Sequence, residues 1–138
     1  MVTFNFIREE GRESELIKIT IPNPDITIVQ RKQEENMDTP IKPVYGFIDI
    51  HEIPRDKGGI ILFYNNKDEL LFVGKARKLR QRVNKHFEDN VSPLKNHRKE
   101  VAKISILIVE EPMEREILET YIINAEHAKY NTDKVFYK

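Results

Sequence analysis

Apolar and polar positions alternate in the first interpretable segment. Ile17, Ile19 and Ile21 alternate with Lys18 and Thr20, Pro22-Asn23-Pro24-Asp25 breaks the run, and Ile26, Ile28 and Val29 follow around Thr27. This pattern predicts a β-hairpin over residues 16–29. Residues 31–44 (RKQEENMDTPIKPV) are polar, contain two prolines and read as a linker or exposed loop. The chain therefore divides into an N-terminal extension, residues 1–45, and a main domain, residues 46–138. In the main domain Ile60 to Tyr64 reads as a strand, Asn65 to Asp68 as a turn, and Leu70 to Val73 as a second strand, which together predict a hairpin. Gly74 allows the chain to leave that strand tightly. Ala76 to Phe87 is expected to be helical, with Leu79, Val83 and Phe87 as its buried stripe. Ser92-Pro93 has the form of an N-cap and first helical residue, predicting a helix to about Lys103. Ile104 to Val109 is the third strand of this domain. Pro112 opens a last helix to about Ala125, with Met113, Ile117, Tyr121 and Ala125 on one face. The order β-β-α-α-β-α implies a small α/β domain with a three-stranded, mostly antiparallel sheet flanked by helices.

Composition narrows the chemistry. The 138 residues suit one domain, and 39% apolar with 33% charged residues suits a soluble one. The apolar runs are far too short to cross a bilayer, and the N-terminus has no basic segment followed by an apolar one. No cysteine is present, which excludes disulfide scaffolds, zinc–thiolate sites, iron–sulfur clusters and thiol nucleophiles. A cytoplasmic location without membrane partners is expected.

The net charge is zero, but its distribution is uneven. From Lys75 to Phe87 six of thirteen residues are Lys or Arg and none is acidic, whereas from Glu110 to Glu119 five of ten are Glu. On a helix, Lys75, Lys78, Arg82 and His86 would share one stripe, with Arg77, Gln81 and Lys85 further out. Like charges with no interleaved acid repel one another, so an anionic partner is expected, a plain solvated face being the alternative. Glu119, with Ile122 and Ile123 beside it, places one carboxylate at the edge of an apolar surface. With water as its other ligands it could hold Mg²⁺ against a substrate phosphate, or simply be a surface residue. Glu111, Glu114 and Glu116 suit the helix N-terminus without further role. His51, His97 and His127 are isolated, and Gly58-Gly59 reads as a turn into the strand.

The stretch from Gly59 to Val83, with Phe72-Val73-Gly74-Lys75-Ala76 and Leu79-Arg80-Gln81-Arg82-Val83 within it, resembles the start of GIY-YIG nuclease domains, in particular the nuclease domain at the N-terminus of the excision-repair protein UvrC. The run from Glu116 through Glu119 to Tyr130-Asn131 is similar to that family's glutamate-bearing helix and closing Tyr-Asn. The resemblance covers about residues 58–133. It implies that Lys75 is the lysine after the second motif and Arg82 the arginine near the scissile phosphate. It likewise implies that His86 stands where the family has Tyr or His, that Glu119 is the single ligand of a Mg²⁺ or Mn²⁺ ion, and that Asn131 closes the site. Lys78, Arg77, Arg80 and Lys85 would contact DNA. The motif tyrosines fall on Ile61 and Phe72, which keep bulk and lose the hydroxyl. Tyr64 lies three residues from Ile61 and on a regular strand faces the other side of the sheet.

The implied function is metal-dependent DNA nicking in repair, with other repair proteins as expected partners and His86 as general base in place of a phenol. The alternative is a catalytically impaired domain that kept the basic helix and serves as a DNA-binding or adaptor module.

Overall fold

The computed structural model describes residues 3–8, 15–30 and 46–137. Strands β1 (Thr3–Arg8) and β2 (Glu15–Thr20) pair antiparallel with each other. Strands β3 (Ile26–Val29), β4 (Gly59–Tyr64), β5 (Leu70–Ala76) and β6 (Lys103–Ile108) form an antiparallel sheet in the order β3-β6-β4-β5. Helix α1 (Leu79–Glu88) follows β5 and helix α2 (Pro112–Glu126) follows β6. Among the described residues no helix is long and apolar enough to cross a membrane.

Two apolar layers sandwich the sheet. On one face Ile61, Phe63 and Phe72 pack against Leu79, Val83 and Phe87 of α1. On the other, Ile60, Leu62 and Val73 pack against Leu118, Ile122 and Ile123 of α2. Strand β4 feeds both layers, which is why its sequence is a continuous apolar run. Gly59 is required at its start: a Cβ there would lie 2.0 Å from the carbonyl oxygen of Leu107 on the neighbouring strand.

Several expectations are corrected. An N-terminal hairpin is present, formed by β1 and β2, but the pairing expected over 16–29 does not form. Its first strand pairs with β1, and its second pairs with β6, placing Ile28 at 2% exposure in the core. The main sheet therefore has four strands rather than three, and residues 26–29 of the expected extension form its edge. The linker expected at 31–44 lies outside the described residues. Strand β5 continues through Gly74 and Lys75 to Ala76, because Gly59–Ala76 pairing keeps this stretch in the ladder. Helix α1 thus starts at Leu79, and Lys75 is a strand residue. The helix expected from Ser92 is a chain of turns ending in a short 3₁₀ segment, Arg98–Glu100. Only Leu94 and Val101 anchor it in the core, and seven residues apart they give no continuous stripe.

Helix α2 occupies the expected span but turns a different face inward. Met113 is 69% and Ile117 39% exposed, while Arg115, Leu118, Glu119, Ile122 and Ile123 are buried. Both stripes have helical spacing; the second offers the denser set of branched residues for the sheet to cover.

Candidate active site

The site forms along the outer edge of β5. The register of β4 and β5 steps from Phe63–Phe72 to Tyr64–Leu70, leaving Leu71 as the extra residue of a bulge. The bulge sends Leu71 and Phe72 both towards α1 and Val73 towards α2. As the last strand, β5 would present unpaired backbone groups along that edge. The segment after α2 covers them: Lys129 N–H donates to Leu70 O and Tyr130 N–H to Leu71 O. Asn131 completes the cover with its side chain. Its Oδ1 accepts from Val73 N–H at 2.9 Å and its Nδ2 donates to Val73 O at 2.9 Å. Asn131 thus clamps the strand that carries Phe72 and Lys75.

Glu119 is 7% exposed and lines a small pocket of about 180 Å³ with Phe72, Lys75, Asn131, Asp133 and Lys134. Lys134 Nζ donates to Glu119 Oε1 and lies equally close, 2.6 Å, to Glu116 Oε1. Lys75 pairs with the other oxygen of Glu116. Glu116 is therefore more than a helix-end charge: hydrogen bonds from Lys134 and Lys75 hold its carboxyl well down, to about 2. Burial works to lower the pKa of Lys134, but its bonds to Glu116 and Glu119 outweigh this and raise it.

Next to this pocket lies a larger groove of about 830 Å³. Lys75, Arg77, Lys78, Arg82, Lys85 and Arg115 line it, with Asp56 the one acidic residue among its lining. Lys75 belongs to both walls, so the basic groove and the Glu119 pocket meet at its side chain. Arg80 goes elsewhere. Its Nε donates to Ile53 O at 2.7 Å and its guanidinium also holds His51 O, so it braces the loop before β4 rather than joining the basic groove. The missed member is Arg115, buried on α2 with Nη1 donating to Ala76 O at 2.8 Å. Its spacing of four residues before Glu119 puts both on one helix face, a signal the sequence did contain.

His86, one turn after Arg82 on α1, turns inward and does not line the groove with Lys78 and Arg82. It is 9% exposed, with its ring edge-on to Phe63 at 5.3 Å and Phe72 at 5.2 Å between centroids. Its Nδ1 lies 2.7 Å from Ser92 Oγ, which also accepts from Leu94 N–H. A Cβ on Gly74 would stand 3.3 Å from His86 Nε2, so the missing side chain is what lets the imidazole approach β5. Burial, then the neighbouring Arg82 charge, push its pKa down to about 4, so the ring is neutral at pH 7. Ile61 is fully buried in the α1-side core, and Phe72 forms a wall of the Glu119 pocket. Tyr64 packs with the α2-side layer under the Lys103 ammonium, 4.5 Å from its ring centre, so the bulge does not bring its hydroxyl round to replace them.

The pocket suits a hard, hydrated dication. Its acidic donors are carboxylate oxygens, no imidazole or thiol lines it, and a cation, the Lys134 ammonium, already stands between Glu116 and Glu119. A separate cluster of Asp49, His51 and Glu52 at the 3₁₀ turn Ile50–Glu52 shares no residue with it.

Comparison with known proteins identifies the family. The model of the UvrC-like GIY-YIG domain matches residues 57–132, more than half of the chain. The Bacillus subtilis (strain 168) protein YurQ, itself uncharacterized, is 67% identical over 124 residues, covering 89% of this chain and 100% of that protein. UvrABC system protein C of Clostridium tetani is 35% identical over 83 residues, covering 55% of this chain but 13% of that much longer protein. Among solved structures, the N-terminal endonuclease domain of UvrC from Thermotoga maritima, bound to its catalytic magnesium, superposes with a TM-score of 0.54. It is 22% identical, covering 61% of this chain and 97% of that one, which is a likeness of fold. Tyrosine-to-phenylalanine mutants of that same domain, also bound to the catalytic cation, give TM-scores of 0.53 at 23% identity, covering 61% of this chain and 96% of theirs. Matched segment and fold agree: this chain belongs to the UvrC-like GIY-YIG domain family.

Proposed function

We propose that the protein is a metal-dependent endonuclease that nicks DNA, with a role in DNA repair. The observation that carries the reading is the junction at Lys75, where a groove lined by cations meets a pocket built around a buried carboxylate. The groove would take the DNA backbone, with Lys78, Arg77 and Lys85 contacting phosphates and Arg82 and Lys75 neutralising charge at the scissile one. Glu119 would hold one Mg²⁺ or Mn²⁺, which when bound supplies Lewis-acid stabilisation of the phosphate. Single tyrosine-to-phenylalanine mutants of the Thermotoga maritima domain still bind their catalytic cation, so the loss of one phenol does not by itself argue against an ion here. His86 would accept the proton of the attacking water. That role requires Nδ1–H to donate to Ser92 Oγ, leaving the Nε2 lone pair free.

One observation favours the second reading, DNA binding without cleavage: Ile61 and Phe72 offer no hydroxyl, and the imidazole is buried behind Phe72. A nicking assay on supercoiled plasmid with Mg²⁺ or Mn²⁺, run beside Glu119→Ala, separates the two. Cleavage lost by at least about 10²-fold in the variant, with DNA affinity retained, is the expected result. No cleavage by either protein, with salt-sensitive binding by both, would establish the binding module instead.

A further inference from the structure

We propose that Lys134 is a tethered cation that occupies the divalent-ion position at Glu119, so that an ion enters only when the lysine is displaced. This rests on the reading of Glu119 as an ion ligand. The ammonium lies 2.6 Å from one oxygen of Glu119 and 2.6 Å from one oxygen of Glu116. Two like charges a single helical turn apart are bridged by one positive centre, which is the electrostatic work a metal ion would otherwise do there.

The lysine is delivered by a strap. After Asn131 the chain turns back along α2, and Asn124 grips it at two points. Its Nδ2 donates to Lys134 O at 2.8 Å and its Oδ1 accepts from Phe136 N–H at 2.6 Å. Val135 packs against the α2-side core, and the Tyr137 ring stacks on His127 with centroids 3.9 Å apart. Lys134 itself has φ of 62°, in the left-handed region that a lysine rarely adopts. A backbone held there by the Asn124 side chain at Lys134 and Phe136 is a positioned residue, not a solvated surface lysine that happens to find an acid.

Competition follows from the geometry. The ammonium and a dication coordinated by Glu119 Oε1 would claim the same oxygen and the same space, and like charges that close repel. Ion binding is then an exchange in which Lys134 swings out still protonated, freeing Glu116 as a second carboxylate beside Glu119. The consequence is a raised ion requirement set by the strap.

The test is Mn²⁺ binding to the full chain without DNA, read from the electron paramagnetic resonance signal of free Mn²⁺ at fixed ionic strength. Lys134→Met removes the charge and keeps the length, Asn124→Ala loosens the strap and keeps the lysine, and Glu119→Gln removes the ligand. Affinity should rise at least about tenfold in Lys134→Met, by a smaller factor in Asn124→Ala, and vanish in Glu119→Gln. If Lys134→Met does not fold, as circular dichroism would show, Asn124→Ala decides alone. Unchanged or weaker affinity in the first two variants, with binding still lost in Glu119→Gln, overturns the proposal and leaves the ion site standing. Absence of Mn²⁺ binding in every variant removes the ion site and the proposal together.

Discussion

His86 shows how one residue can be matched to a role by its position and moved from it by its surroundings. Enclosed by Phe63 and Phe72 and close to Arg82 and Arg98, the imidazole is held to a pKa of about 4. Its ordinary value near 6.5 applies in the unfolded chain, so between those two values the unfolded state binds the extra proton and stability rises with pH. The contribution is complete above about 6.5 and lost as pH falls towards 4. Urea unfolding between pH 4 and 7 should therefore show a stability gain of up to about 3 kcal/mol that His86→Phe lacks. Equal pH slopes in the two proteins would mean that the ring is solvated and not neutral by burial. The same burial limits His86 as a base, because the protonated product of the step is the disfavoured form.

At the scale of the element, β5 matters most. It is an edge strand, it carries a bulge, and it holds Phe72 and Lys75 where the pocket and groove meet. Asn131 supplies both hydrogen bonds to the Val73 backbone. Replacing it with alanine leaves a donor and an acceptor unmade at a partly buried edge, a loss of about 2 kcal/mol. Thermal unfolding of Asn131→Ala should show that loss, together with weakened Mn²⁺ binding as the pocket wall loosens. A variant as stable as the parent would show that water replaces the carboxamide without penalty. The element types were largely legible: the β4–β5 hairpin, β6, α1 and α2 each follow from their periodicity. Their ends and faces were less so. Lys75 belongs to β5 because β4 pairs with it as far as Ala76, a long-range ladder that outweighs the helical spacing of the cations.

For the whole molecule, zero net charge conceals a separation of charge. The basic groove gathers side chains from β5, α1 and the buried face of α2, while Glu116 and Glu119 stand on the far side of Lys75. Phosphate binding should thus be electrostatic and local. Removing Arg82 and Lys85 together should weaken binding to any duplex sequence and reduce the slope of log affinity against log salt by about 2. Fluorescence anisotropy across a salt series measures it. Arg80→Ala, by contrast, should leave that slope unchanged, since its guanidinium is bound to the backbone of residues 51–53.

The amino-acid pattern alone determined the α/β class, the main strands and helices and the basic segment, because each follows from local periodicity, while Lys75, Arg82, Glu119 and Asn131 were singled out together only by likeness to a family. It could not show that Ile26–Val29 closes the far edge of the sheet, that Met113 and Ile117 face outward, or that Lys134 reaches Glu119. Those depend on which surfaces meet after the chain has turned back on itself. Two helical stripes of equal spacing compete for one sheet face, and a lysine fifteen residues beyond a glutamate has no spacing rule to tie them. Packing and charge compensation decide such cases, and they act between segments that are remote along the chain.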